Sequence, residues 1–182
     1  MSHAILYNWR AAARLAIFFL FISFASGCAS TYQETALKPP TEKLQSGASL
    51  LIATPANGVY ETKEYAGSGD STARAVRAAF ARYSNDVNVS AECRDLECLQ
   101  NSQPTGVDYY VVPEILHWED RNTEWSGIPD RIEIKMAVYS AKDGAELATS
   151  VVTGKSKWAT FGGDHPQDLL PEPINAYVES LF

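Results

Sequence analysis

Three cysteines carry the most reactive side chains of this 182-residue chain. Cys28 closes the stretch Phe24-Ala25-Ser26-Gly27-Cys28, directly after an apolar run. The small residues before it leave room for a peptidase around the Gly27–Cys28 bond, and its thiol is a nucleophile that can take a lipid group. Cys93 and Cys98 form a second set, five positions apart. A third set is acidic: Glu114, Glu119, Asp120 and Glu124 share one segment with His117. Paired carboxylates can act as acid and base, and histidine titrates near neutrality. No serine in a nucleophile-elbow motif accompanies His117. A structural imidazole on a solvated acidic strand is therefore the expected reading, with no catalytic residue assigned. Trp118 lies within the same segment and Trp125 directly follows it, and exposed tryptophans there would form a candidate partner surface.

The residues ahead of Cys28 have the parts of an export signal. Arg10 and Arg14 supply positive charge, no Asp or Glu precedes Cys28, and Leu15 to Phe24 is almost continuously apolar. Those ~10 residues would reach only ~15 Å as a helix, about half of a bilayer core of ~30 Å. A permanent transmembrane helix is not expected. The segment resembles the bacterial lipoprotein signal over roughly the first thirty residues, with Ala25 where that family more often has Leu. The resemblance implies cleavage before Cys28, lipid attachment at Cys28, and an outer-membrane destination, since Ala29 rather than Asp follows the cysteine.

Composition narrows the remaining choices. Residues 1–27 read as signal, 28–48 as a lipidated tether, and 49–182 as one periplasmic domain. The chain has a formal net charge of -7, and loss of Arg10 and Arg14 with the signal makes the mature chain more acidic still. An acidic balance argues against nucleic-acid binding. It also argues against electrostatic docking on anionic lipid, so membrane attachment is expected to rest on the acyl chains.

Cys93 and Cys98 are an even pair in an oxidising compartment, which favours a disulfide. A zinc half-site would need further ligands, and His117 and His165 lie near no second His or Cys in sequence. No metal or cofactor is expected. In one continuous helix the two Cα atoms would stand ~8.6 Å apart. A disulfide usually needs less than ~7 Å, so Cys93 must precede the helix that holds Cys98.

The elements that would position these groups read as follows. Residues 29–47 are polar with Pro39-Pro40, and a flexible chain of that length would span ~25 Å end to end. Ser49 to Thr54 reads as a buried strand, and Val59 to Tyr65 as a second. Gly67-Ser68-Gly69 then breaks the pattern, with Asp70 or Ser71 as helix cap. This turn could hold a phosphate, but no P-loop lysine follows and Asp70 would repel the anion. Ala73, Val76, Phe80 and Tyr83 recur at helical spacing. Asp86 to Ser90, Val107 to Trp118, Arg131 to Tyr139 and Glu146 to Trp158 read as strands, the last two joined by a turn at Lys142-Asp143-Gly144. Pro113 marks a bulge or an edge position. A final helix carries Leu170, Ile174, Tyr177 and Leu181, with Pro171 and Pro173 in its first turn. The class is α/β (α+β): a single mixed sheet of five or six strands with two to three helices packed on it.

Asp108-Tyr109-Tyr110-Val111-Val112-Pro113, the hairpin around Lys142-Asp143-Gly144 and the closing Leu169-Leu170-Pro171 helix resemble a family of small proteobacterial lipoproteins of unknown function. The element order is also similar to the amino-terminal domain of TolB, to lipoprotein activators of cell-wall synthases and to the curli secretion lipoprotein. These likenesses are of fold and transfer no function. The expected reading is a lipid-anchored, periplasm-facing binding or assembly module that is not an enzyme, with an envelope protein as partner. The alternative is a glycan- or small-ligand-binding or enzymatic domain using the carboxylates and tryptophans near 114–125.

Replacing Cys28 by Ser is expected to abolish lipid labelling and normal processing in cells. Processing and membrane retention equal to the parent would show that Cys28 is not the attachment point.

Overall fold

The computed structural model describes residues 30–102, 104–121, 128–157 and 165–182. The expected signal, Cys28, Trp125, Glu124 and Trp158 lie outside the described residues. Eight strands and three α-helices follow in the order β1 (Thr31–Lys38), β2 (Leu50–Ala53), β3 (Val59–Tyr60), β4 (Lys63–Glu64), α1 (Ser68–Phe80), β5 (Val87–Ser90), α2 (Leu96–Asn101), β6 (Tyr109–Glu119), β7 (Arg131–Ser140), β8 (Glu146–Lys155) and α3 (Pro171–Leu181). Six of the strands form one mixed sheet in the order β1-β8-β7-β6-β2-β5. β2 runs parallel to β5 and β6; β6, β7, β8 and β1 pair antiparallel in turn.

Period-two alternation divides the sheet into two faces. On β7, Ile132, Ile134, Met136 and Val138 are buried, while Arg131, Glu133 and Lys135 project the other way. The buried row packs with Val76, Phe80, Ile174, Tyr177 and Leu181 of α1 and α3 in one core. α3 reinforces this contact through the Tyr177 hydroxyl, which donates to the Met136 carbonyl at 3.4 Å. Burial, and then the nearby Glu34 and Glu146 charges, push the Tyr177 phenol up, so it stays neutral. Behind α3, the Phe182 ring stacks on Tyr83 with centroids 4.4 Å apart. A smaller cluster on the opposite face joins Ala53, Cys93, Leu99 and Tyr110 beneath α2.

Three local readings are corrected. Thr31–Lys38 is a strand of the sheet, not a tether: it pairs with β8 from Thr31↔Lys155 to Lys38↔Thr149. Further along, Leu44 is buried and its amide donates to the Leu181 carbonyl at 2.9 Å. The domain therefore starts well before Ser49. Val59 to Tyr65 forms not one strand but a two-stranded hairpin, β3–β4, turning through Glu61 at φ 55. Finally, α1 begins at Ser68, after Gly67 at φ 82, rather than being capped by Asp70 or Ser71.

The β6–β7 and β7–β8 pairings follow the alternation of the sequence, and the latter turns through Gly144 at φ 72. Pro113 sits beyond the β2 ladder, which ends at Ile52↔Val111, where a missing N–H costs no pairing on that side. The register shift of β6 falls further on, between Ile115 and His117.

The Cys93–Cys98 disulfide is present, with Cα atoms 5.2 Å apart. Cys93 precedes the helix, Asp95 caps it by accepting from the Cys98 amide at 2.8 Å, and Cys98 lies in the first turn. That bend brings the pair inside bonding range. So short a loop removes little unfolded-state entropy, and replacing both cysteines by Ser should cost ~2 kcal/mol or less with the fold retained. Denaturant titration with circular dichroism checks this. Two free thiols in the unreduced, unfolded protein from the periplasm would contradict the bond itself.

Candidate functional site

The chemistry-bearing residues gather where β6 ends. A strand points alternate side chains to one face, so Glu114 and Trp118 would share a face in a regular β6. The bulge at Leu116 breaks that parity. After it, His117 and Glu119 join Glu114 on the face away from α1 and α3, and Trp118 turns into the core. Trp118 is 3% exposed, so it offers no partner surface, a correction forced by the bulge. Its Cβ lies against Gly58, where a methyl group would meet it at 2.4 Å. The backbone of the β3–β4 hairpin can approach β6 only because position 58 carries no side chain.

Four side chains then close on one another. Glu119 is buried, accepts from or pairs with His117 Nε2 at 3.1 Å through Oε2, and binds Arg121 through Oε1. Arg121 also donates to the Tyr60 hydroxyl at 3.3 Å, and its guanidinium lies 5.4 Å from the Tyr60 ring centre. The Tyr60 and His117 rings meet edge to face at 5.2 Å. The Arg121 backbone amide donates to Asp130 at 2.7 Å, and the Asp130 amide donates to Ser156 Oγ at 2.9 Å. The cluster thus ties the β3–β4 hairpin to the ends of β6, β7 and β8.

Its electrostatics are those of an internal clamp. Burial pushes the Glu119 carboxyl up, but the His117 hydrogen bond and the Arg121 guanidinium outweigh it and hold the group below the usual carboxylate range. Burial works against the Arg121 charge and Glu119 favours it more strongly, so the guanidinium is held further in its charged form. A carboxylate ionised in this way is a poor proton donor at neutral pH. Both of its oxygens are already engaged.

The other candidates stand apart. Glu114 pairs with Lys135 at 3.3 Å on the exposed sheet face. Asp120 faces His165 at 3.7 Å. The Gly67-Ser68-Gly69 turn is filled by protein: the Gly58 amide donates to Ser68 Oγ at 2.8 Å and the Gly69 amide to Asn57 Oδ1 at 3.2 Å. Position 69 also presses on the Pro55 carbonyl, which a Cβ would meet at 2.3 Å. Beside His117 lies an open groove of about 410 Å³ lined by Thr31, Gln33, Arg131, Glu133 and Lys155 among others. Glu119 is not part of its lining. Among the described residues no group of three His, Cys, Asp or Glu side chains could hold a metal ion, and no helix is long and apolar enough to cross a membrane.

The sequence reading missed Arg121, although its two-residue spacing from Glu119 and His117 is a signal that could have found it. Tyr60 carries no such signal, because it arrives from a hairpin 57 positions before His117 with no shared pattern.

A mixed sheet with α1 and α3 on one face, the short α2 on the other and an internally paired charge cluster at one end defines the architectural class. The chain belongs to the family described as "Domain of unknown function (DUF4823)", which matches residues 42–181. No curated protein matches the chain. Among solved structures it is similar to the PelC dodecamer from Paraburkholderia phytofirmans, with TM-score 0.62 and 14% identity over 84% of this chain and 96% of that one. It is also similar to protein XCC0632 of Xanthomonas campestris, assigned to DUF330, with TM-score 0.50 and 16% identity over 79% and 89% of the two chains. A looser likeness is to lipoprotein GNA1162 from Neisseria meningitidis, with TM-score 0.44 and 16% identity over 72% and 96%. At these identities the likeness is one of fold.

The Glu119 carboxyl sits below its ordinary 4.5 in the folded state, so its contribution is present above that pH and fades as pH falls through the lowered value. Glu119→Gln should lower the melting temperature at pH 7 by roughly 3 °C or more. The gap between variant and parent should narrow at pH 3.5, roughly one unit below the ordinary carboxylate value. An equal gap at both pH values would show that the clamp does not depend on the charge.

Proposed function

We propose that this chain is a lipid-anchored lipoprotein of the outer membrane, facing the periplasm, that works as a non-enzymatic binding or assembly module. The observation that carries this reading is the state of the candidate site. Its buried carboxylate is ionised and held on both oxygens by His117 and Arg121, which leaves neither Glu119 oxygen free to act as an acid or base. Three things support a binding role. The face away from α1 and α3 presents successive rows of side chains, among them Thr35–Val151–Lys135–Glu114, on antiparallel strands. Among the described residues the strands at both ends of the sheet, β1 and β5, each have one neighbouring strand, an arrangement to which a further strand can add. The similar PelC chain is described as a dodecamer, which favours an assembly of several copies as one form the binding could take.

The apolar run from Leu15 to Phe24 and the small residues Ala25-Ser26-Gly27 before Cys28 support the anchor, and the partner is an envelope protein or a second copy of the chain. A photocrosslinking residue at Thr35 or Val151, introduced into the full-length protein in cells, tests this. The expected result is a discrete protein adduct at both positions. The absence of any adduct, together with turnover of an envelope substrate that is lost in His117→Ala, would overturn the reading.

A further inference from the structure

The strand found where a tether was expected changes how the lipid meets the domain. β1 starts at Thr31, three residues after Cys28. Three residues span at most ~11 Å when fully extended. An acyl group on Cys28 therefore brings the Thr31 end of the sheet to the headgroup layer. Across that end the ladder places Thr31 beside Lys155, Lys155 beside Arg131, and Arg131 beside Glu119.

The charges at this end are unevenly presented. Arg131, Lys155 and Lys157 are exposed and take part in no ion pair among the described residues. The acidic groups that neighbour them along the sheet strands are withdrawn, while Glu61 of the β3–β4 hairpin is exposed at the corner of Asp120 and Arg121. Glu119 and Asp130 are buried, Glu119 is paired with His117 and Arg121, and Asp130 accepts from the Arg121 amide. Asp120 and Glu133 are half-buried, and Asp120 faces His165. Screening in salt acts over about 8 Å, so the exposed cations act locally even on an acidic chain.

We propose that the Thr31 end of the sheet is seated on the phosphates of membrane lipid headgroups through Arg131, Lys155 and Lys157. This rests on lipidation of Cys28. The domain then stands on the bilayer in a fixed orientation, with its strands rising from the surface and the Lys142–Gly144 turn at the far end. β7 alone, at ~3.3 Å per residue over its ten residues, puts that turn ~30 Å away.

The test uses the mature lipidated protein reconstituted in vesicles of phosphatidylcholine containing phosphatidylglycerol. Acetylation of individual lysines is followed by mass spectrometry. Lys155 and Lys157 should label several-fold more slowly than in detergent, Lys142 should be unchanged, and high salt should remove the protection. Arg131→Glu combined with Lys157→Glu should restore labelling of Lys155 while the protein stays on the vesicles. Acylated, vesicle-bound protein whose Lys155 labels as fast as in detergent would overturn this proposal alone. Protein that carries no acyl mass on Cys28 would overturn the anchoring reading and this one with it.

Discussion

The structure depends on the row Ile132, Ile134, Met136 and Val138 being held under α1 and α3. Each fully buried aliphatic side chain contributes ~1.5–3 kcal/mol relative to exposure. A slip of one residue would turn the whole row to water, so the register of β7 is strongly fixed. β6 and β8 take their registers from β7, and β1 takes its register from β8. The position of every charged side chain on the other face follows from that one packing decision.

Much of this frame was readable because its signals are local and periodic. Ile132 to Val138 alternates, Leu170, Ile174, Tyr177 and Leu181 recur at helical spacing, and Gly144 marks the turn. The cysteine argument also carried over, because it used only helix geometry and bond reach. β1 was hidden for a physical reason. Thr31 to Lys38 buries no side chain fully, and Tyr32 alone packs against the main core. Its place in the sheet comes from backbone pairing with β8, which any sequence without interrupting prolines can make.

The site was less legible for a different reason. Trp118 lies on the core side because one extra residue at Leu116 reverses the alternation, and a bulge leaves only a faint mark in a single sequence. Tyr60 joins the cluster through space. The tryptophan and carboxylate segment therefore resolved into two unlike parts: Trp118 in the core, and Glu119 clamped by His117, Arg121 and their neighbour Tyr60. A clamp of this kind holds a hairpin and three strand ends in register.

The link between sheet and anchor rests on β1. Under the proposed anchoring at Cys28, a strand starting three residues on would hold the domain close to the membrane and in one orientation; a tether would let it swing freely. Hydrogen exchange on the mature lipidated protein, resolved to single amides over residues 31–38, tests this most directly. The account predicts slow exchange at alternate positions, those whose amides bond to β8, and fast exchange at the positions between. Uniformly fast exchange along the segment, as in an unstructured chain, would contradict it.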